Sequence, residues 1–517
     1  MKKQKKVLII TTFLLFNFAF LTIGAIGGFY LYQGYEESQL QQENINSAVA
    51  PEPTPIVMDL SSPSTIGSPL VFGGAHNPPL DHEDAWDLLQ EVGVTSLRTD
   101  FYLEFSMPEG ITLEQYKENE ELQNPDNWSQ SYIENRREIF RKAQEHGMQT
   151  IGIVSFAPKW LTHSGTVYGV PKDWDVYEDI VKKHYRLYRD HVDYLEIWNE
   201  PNLPEDDAFL DVSETELSKS EAYELIYYHA ARAIRAVDLE INDGKTTPLG
   251  GPVSASPVDS SFLKPLLTNP ETAALLDFVS YHQYETKPFK QNTNYTNIID
   301  SYSTKTLPIF ITEWNYSWKN GEMENIATTA RGITYTSNMI INYLKDGITG
   351  ANFHTLTPLM DGKPYGISKN HAFYQWNSSE AEPLFLTRTW QLLSKTLGLG
   401  NGSSNVIPLT TPEDMEGIGF TNSAGINGIV LVNSTDEKRF VELSINSLPE
   451  TEEWKKAYLY TASEQTDGKT LLGTQVLRQE EGVMSVKLYI EPQTVSGLLL
   501  RDNVTFYEQV KYRLMNR

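Results

Sequence analysis

Cysteine is absent from this chain of 517 residues. Disulfide bonds and thiolate metal sites therefore contribute nothing to its stability, and an exported domain of this size can be stable without them. Basic residues are also few relative to acidic ones. The chain has 42 Lys and Arg and 68 Asp and Glu, which gives a formal net charge of −26. This charge argues against binding of nucleic acid or anionic lipid by the globular part, and solubility explains it otherwise.

Two sequence motifs are missing as well. After the first predicted strand, the segment Gly73-Gly-Ala-His-Asn77 does not match the G-x-G-x-x-G pattern of dinucleotide-binding proteins. The histidines and acids form no metal-ligand motif such as H-E-x-x-H. We therefore expect neither a cofactor nor a metal.

One long apolar run is present, at the N-terminus. Lysines precede an uncharged, largely apolar segment from Val7 to Tyr32, and Glu36 and Glu37 follow it. This length spans a bilayer, and the charge bias leaves the rest of the chain outside the cytoplasm. We expect a cytoplasmic stub and transmembrane signal anchor over residues 1–32, with a cleaved signal peptide and secretion as the alternative.

Differences in residue composition divide the remaining sequence into a linker, two domains and a tail. Residues 33–65 are rich in Gln, Glu, Ser and Pro and read as a linker, of which residues 56–60 are a candidate strand of the C-terminal domain. Residues 401–502 contain short strands between Asn, Gly, Ser and Asp turns, which predicts an antiparallel β-sandwich. Residues 503–517 form a polar tail.

Residues 66–400 alternate short apolar runs with longer amphipathic stretches, eight times in all. This pattern predicts an α/β fold, a (β/α)8 TIM barrel, with a doubly wound open sheet as the main alternative. The predicted strands lie near Pro69–Gly73, Ser96–Asp100, Gln149–Ser155, Tyr194–Asn199, Pro248–Val253, Phe278–His282, Ile309–Thr312 and Gly350–His354.

Two of these strands run directly into a glutamate. The segments are Tyr194-Leu-Glu-Ile-Trp-Asn-Glu-Pro-Asn202, which contains Glu200, and Pro308-Ile-Phe-Ile-Thr-Glu-Trp-Asn315, which contains Glu313. A glutamate at the end of a buried strand is costly unless it is paired, hydrogen-bonded or used. Because parallel strands end at one face of a barrel, both carboxyls are expected at the same opening, as in the acid/base pair of a glycoside hydrolase.

The motifs Trp198-Asn-Glu-Pro-Asn202 and Ile311-Thr-Glu-Trp-Asn315 resemble the two signatures of the retaining β/α-barrel glycoside hydrolases of clan A. With the C-terminal sandwich, the chain resembles most glycoside hydrolase family 39, which includes β-xylosidases and α-L-iduronidases. The resemblance implies that Glu200 is the general acid/base and Glu313 the nucleophile. It also implies that Asn199 binds the sugar 2-hydroxyl, although strict strand alternation would turn Asn199 away from the face that carries Glu200.

Other side chains are expected around this pair. Arg98 would hold Glu313 ionised, with a pairing to Asp100 or another loop acid as the alternative. His282 and Tyr284 end the sixth strand on one face and are expected in the pocket rather than in the core. Further pocket candidates are Trp314 and Trp160 for stacking on sugar rings, His76 after the first strand, and His354 at the end of the eighth.

The leading hypothesis is a membrane-tethered retaining glycoside hydrolase that acts on a cell-surface or extracellular polysaccharide or oligosaccharide. A carbohydrate-binding or polysaccharide-assembly protein with little turnover is an alternative from a different class. A transglycosylase is another, since the two carboxylates do not distinguish it from a hydrolase.

Overall fold

The structure is a computed structural model. It describes residues 52–204, 208–256, 260–285, 291–317, 324–357, 374–377, 380–448 and 453–515. Within these ranges, no helix combines the length and the apolar character that a membrane crossing requires. The predicted anchor over residues 1–32 lies outside the described residues.

The main domain is a closed barrel of eight parallel strands. Two short strands precede it, β1 (Thr54–Asp59) and β2 (Thr65–Gly67). The barrel strands follow in chain order, each pairing with the next and the last with the first. They are β3 (Gly73–Ala75), β4 (Ser96–Tyr102), β5 (Gln149–Ser155), β6 (Tyr194–Ile197), β7 (Leu249–Ser254), β8 (Phe278–Tyr284), β9 (Ile309–Asn315) and β10 (Gly350–His354). The predicted TIM barrel is confirmed and the doubly wound sheet was wrong.

The first barrel strand starts later than the sequence pattern suggested. Residues Pro69–Phe72 form a 3₁₀ turn rather than a strand, and the Ser68 side chain accepts the backbone N–H of Leu70 at its start. Proline suits the first position of such a turn because it has no N–H to leave unpaired. Strand β3 therefore begins at Gly73.

Helices connect the strands around the outside of the barrel. They are α1 (Glu83–Val92), α2 (Leu103–Ser106), α3 (Leu113–Glu118), α4 (Glu120–Gln123), α5 (Gln130–Glu145), α6 (Trp174–Tyr188), α7 (Lys219–Ile241), α8 (Leu263–Thr268), α9 (Pro270–Leu275), α10 (Gln291–Tyr302), α11 (Glu324–Ala327), α12 (Ala330–Lys345) and α13 (Thr387–Trp390). Helix α1 stops at Gly93, whose φ of 90° lets its N–H reach the carbonyl oxygen of Leu89. Such a left-handed cap is cheap for glycine.

One end of the barrel is closed by apolar side chains. Leu70, Ile151, Phe278 and Phe310 form a separate buried cluster, against which Tyr194 packs. Ile151, Phe278 and Phe310 lie near the N-terminal ends of their strands. The groups of the candidate site described below lie instead at the C-terminal end of the barrel, as in other barrels of this type.

The C-terminal part forms two antiparallel sheets. A hairpin of β11 (Tyr374–Asn377) and β12 (Glu380–Pro383) comes before it. Its own strands are β13 (Ser404–Pro408), β14 (Met415–Thr421), β15 (Asn427–Asn433), β16 (Arg439–Asn446), β17 (Trp454–Ala462), β18 (Asp467–Arg478), β19 (Met484–Ile490) and β20 (Thr494–Arg501). The larger sheet has the order β18-β17-β20-β15-β14-β13-β2, and the smaller sheet has the order β1-β16-β19.

The central strands of the larger sheet, β15 and β20, are buried on both faces. Ile429, Leu431 and Leu498 face the small sheet and share one apolar cluster with Val441 and Met484. Alternate residues of the same sheet, among them Val430 and Val432, belong to the core cluster of the barrel. The upstream segment therefore contributes β1 and β2 to the sandwich, and a further helix, α14 (Phe506–Met515), follows it where the sequence showed only a polar tail.

Candidate active site

The chain bends sharply where β6 ends, and this bend positions Asn199 and Glu200. The strand stops at Ile197, and Trp198 and Glu200 both have positive φ angles, 74° and 44°. Such angles are uncommon outside glycine and break the alternation of a strand. Backbone hydrogen bonds hold the bend, since Trp198 N–H donates to the carbonyl of Val154 and Glu200 N–H to that of Val253. Asn199 and Glu200 can therefore face the same opening, which strict alternation would forbid.

The Arg98 side chain, from β4, connects β6 and β9, the two strands that lead into Glu200 and Glu313. Its side chain is buried, and Nε donates to Glu196 Oε2 at 2.6 Å, Nη1 to Glu313 Oε1 at 2.7 Å and Nη2 to Asn199 Oδ1 at 3.0 Å. Burial alone would lower the pKa of Arg98, but the charges of Glu196 and Glu313 raise it. A permanently charged guanidinium thus lies against Glu313, and the alternative pairing with Asp100 is not what forms.

Glu313 is the more strongly held of the two carboxyls. Tyr284 donates its hydroxyl hydrogen to Oε2 at 2.5 Å, while Arg98 occupies Oε1. Burial opposes ionisation of Glu313, yet His282 and Arg98 beside it and the Tyr284 hydrogen bond lower its pKa well below the usual range. Glu313 is therefore ionised at neutral pH.

Glu200 has a different environment. Its Oε1 lies 2.8 Å from His282 Nδ1, which is also 3.5 Å from Glu313 Oε2. A carboxylate oxygen of Glu200 lies within 4.8 Å of one of Glu313. The two carboxyls thus share one histidine, but within the part of the chain that the structure describes only Glu313 is also bonded to a guanidinium and a phenol.

His76 and His354 form a pair beside Glu313. Their Nε2 atoms are 3.1 Å apart, and His354 Nε2 lies 3.9 Å from Glu313 Oε2. Burial lowers the pKa of His354 to about 3, although Glu313 opposes this, so the ring is neutral. The two histidines that end or follow the eighth and first barrel strands thus meet at the site.

The tryptophan predictions need a correction. Trp314 lies in β9 directly after Glu313, so strand alternation turns it out of the barrel. It is fully buried, stacks on Trp390 and contacts Tyr343 and Phe353, and it cannot present a face to a sugar. Trp160 lies in the turn after β5 with its ring stacked on Tyr116 and is partly exposed, so it stays a predicted contact.

Glu196 is a residue of the site that the sequence analysis missed. It is fully buried in β6, and the only hydrogen bond of its carboxyl among the described residues is the one from Arg98, since Oε1 has no partner there. A glutamate inside a four-residue buried strand was the available signal, because a buried carboxylate requires a partner. Glu196 supports the site through Arg98.

The site also meets one geometric condition for a metal. Glu200, His282 and Glu313 offer ligand atoms within 4.8 Å of one another, as do Glu83, Asp87 and His146 on the surface. At Glu313, however, both oxygens already accept hydrogen bonds, one of them from the Arg98 cation. A divalent cation would have to displace or tolerate that charge, so the first group fits acid/base chemistry better than metal binding.

Solved structures of sugar-cleaving enzymes share this fold. A glucosidase from Croceicoccus marinus superposes with a TM-score of 0.62 at 13% identity, covering 87% of this chain and 99% of that one. A family 30 subfamily 8 xylanase from Clostridium acetobutylicum gives 0.59 at 13%, with 86% and 99% covered. A family 39 enzyme from Xanthomonas axonopodis pv. citri gives 0.57 at 14%, with 87% and 97% covered. No curated protein matches the sequence.

The fold and the sequence together define a glycosidase, a glycoside hydrolase of clan A. Within that clan the chain belongs to the cellulase family, glycosyl hydrolase family 5, whose model matches residues 62–347, more than half of the sequence. The closer resemblance to family 39 is not confirmed, because the matching model is that of family 5 and the similar structures come from several families.

Proposed function

We propose that the protein hydrolyses glycosidic bonds by double displacement with retention of configuration, Glu313 being the nucleophile and Glu200 the general acid/base. The asymmetry of the two carboxyls carries this proposal. A carboxylate oxygen of one lies within 4.8 Å of a carboxylate oxygen of the other, which suits the short separation of about 5–5.5 Å in retaining enzymes better than the roughly 6.5–9.5 Å of inverting enzymes. Of these two carboxyls, Glu313 is the one that accepts hydrogen bonds from Arg98 and Tyr284, which favours its ionised, attacking form.

In the first step, the Glu313 carboxylate attacks the anomeric carbon while Glu200 gives its proton to the glycosidic oxygen, whose bond to that carbon breaks. This leaves a glycosyl ester on Glu313. In the second step, Glu200 takes a proton from water, the water oxygen attacks the anomeric carbon, and the ester bond breaks to release Glu313 as carboxylate. Asn199, held by Arg98, would bind the neighbouring sugar hydroxyl.

The proposal is tested with a panel of aryl glycosides and surface polysaccharides on the wild type, Glu313→Gln and Glu200→Gln. Each variant should lose about 10²–10⁴-fold in turnover while retaining sugar binding. A 2-fluoro aryl glycoside of the preferred sugar should label Glu313, and NMR should show the product anomer retained. Equal residual turnover in all three proteins would refute the catalytic roles. Dialysis against a chelator is the control for a metal and should leave the rate unchanged.

We propose further that the substrate is a polysaccharide or oligosaccharide at the cell surface and that the apolar N-terminal segment, residues 1–32, anchors the protein there. The lysines before that segment and the glutamates after it support an orientation with the barrel outside the cytoplasm. Cell fractionation with protease treatment of intact cells tests this. Recovery of the native protein from the medium would contradict the anchor, and protection from the protease would contradict the orientation.

A further inference from the structure

One wall of the cleft is formed by the upper part of β4 and the helix that follows it. Strand β4 pairs with β5 without a bulge from Ser96 to Tyr102. Arg98, Asp100 and Tyr102 therefore point to the same face, because side chains alternate along a regular strand. The Arg98 side chain contacts Glu313 inside the site. The next two side chains on this face, Asp100 and Tyr102, therefore continue the wall of the site towards its mouth.

Asp100 is a carboxylate on this wall that has no counter-ion among the described residues. No Lys or Arg of the described ranges lies within 4.0 Å of it, whereas Arg98 below it is bound to Glu196, Glu313 and Asn199. Burial and the hydrogen bond to Asp100 raise the pKa of Tyr102 well above its usual range, so the phenol stays protonated. The pair offers carboxylate oxygens that accept hydrogen bonds, and it would repel an acidic sugar.

An exposed aromatic ring extends the same wall. Phe105, in α2 directly after β4, is 56% exposed, and its ring contacts Tyr102 at 5.2 Å and Tyr132 at 5.7 Å between centroids. The ring is held in place, because the Tyr132 hydroxyl accepts the backbone N–H of Tyr102 and Phe156 stacks on the Tyr102 ring. A fixed, exposed apolar ring beside hydrogen-bond acceptors suits the C–H face and the hydroxyls of a sugar.

We infer that Asp100, Tyr102 and Phe105 form a binding subsite for a further, uncharged sugar unit of the substrate chain. This inference rests on the proposed function, since the subsite continues the wall that carries Arg98. Phe105 stacks on the sugar ring, and the Asp100 carboxylate, oriented by Tyr102, accepts hydrogen bonds from its hydroxyls. The enzyme then prefers oligosaccharides without acidic groups over single aryl sugars.

The test compares chain lengths in the full protein. Wild type, Phe105→Ala, Phe105→Tyr and Asp100→Asn are assayed on two pairs of probes, xylohexaose with 4-nitrophenyl β-xyloside and cellohexaose with 4-nitrophenyl β-glucoside. Phe105→Ala should lower kcat/KM on the hexasaccharide about tenfold, because one face of apolar contact is lost, and leave the aryl monosaccharide unchanged. Phe105→Tyr, which keeps an aromatic ring, should retain the wild-type kcat/KM on the hexasaccharide. Asp100→Asn should cost about fivefold on the hexasaccharide alone.

The matched control is Phe506→Ala, which removes another exposed ring, 80% exposed, on α14. This variant should leave kcat/KM unchanged on both the hexasaccharides and the aryl monosaccharides. Equal losses on both lengths, or faster cleavage of hexagalacturonate than of the uncharged hexasaccharides, would overturn the subsite. If none of these probes is cleaved, the wider panel of glycosides still decides the proposed function, and calorimetric titration with the same hexasaccharides decides the subsite. Binding by wild type that Phe105→Ala weakens supports it, and no binding, or equal binding, overturns it.

Discussion

Replacing Tyr284 by Phe should raise the pH at which activity is lost on the acid side. The Tyr284 hydroxyl donates to Glu313 Oε2 at 2.5 Å, and this bond is one of the causes that lower the pKa of Glu313. Phenylalanine keeps the ring and removes only that donor. The pKa of Glu313 must then rise, because the ionised form loses a hydrogen bond that the protonated form does not need.

The size of the shift follows from the bond. A hydrogen bond to a charged group contributes about 1.5–3 kcal/mol, and one pKa unit corresponds to about 1.36 kcal/mol. The acid limb of kcat/KM, which reports the free enzyme, should therefore move up by about 1–2 pH units. Arg98 remains on Oε1, so the carboxyl should still ionise and the activity at the new optimum should be reduced rather than abolished.

The assay is a profile of kcat/KM against pH on the best aryl glycoside found for the wild type. Tyr343→Phe is the matched control, because the Tyr343 hydroxyl is also buried but donates to the amide oxygen of Gln283. The control profile should coincide with that of the wild type. An acid limb of Tyr284→Phe that stays in place or moves down would refute the assignment of Glu313 as the ionised nucleophile held by Tyr284.

Glu196→Gln should shift the acid limb in the opposite direction, to lower pH, because Arg98 would keep only one carboxylate and hold Glu313 more firmly ionised; an upward shift would contradict this. Asp238→Asn should lower the free energy of unfolding in urea by about 3–5 kcal/mol, because it breaks an ion pair with Arg189 in which both side chains are buried. The control Glu240→Gln breaks an exposed ion pair with Arg186 and should lower it by under about 1 kcal/mol. Trp314→Ala should lower the free energy of unfolding by about 3–5 kcal/mol with KM unchanged, and a raised KM at full stability would contradict its place in the core.

The barrel was predictable because each of its units repeats the same pattern. Short apolar strands ended at polar residues, and glycines such as Gly93 stood where helices stop. The exception was Pro69–Phe72, whose apolar letters resemble a strand although proline and the Ser68 cap favour a turn. Apolar composition alone does not separate a strand from a short turn.

The site was predictable as far as strand ends determine it. His282, Tyr284, Glu200 and Glu313 meet because parallel strands end at one face. Two further features required coordinates. The left-handed Trp198 overrides the alternation that should have turned Asn199 away, and the link from Glu196 through Arg98 to Glu313 joins three different strands. Conversely, Trp314 was predicted in the cleft from its position near a strand end, and alternation along the strand turns it away from the face that carries Glu313.

The way the sandwich recruits β1 and β2 determines the order in which the protein can be completed during synthesis. Both strands leave the ribosome before the barrel, but β2 pairs with β13 and β1 with β16, which are made only after the barrel strands. Ser447 also donates to the Asp59 carboxylate, across 388 positions of the chain. Strands β1 and β2 therefore stay unpaired until the C-terminal domain has been synthesised. Premature release of the chain would leave their partner strands absent and their edges exposed to aggregation.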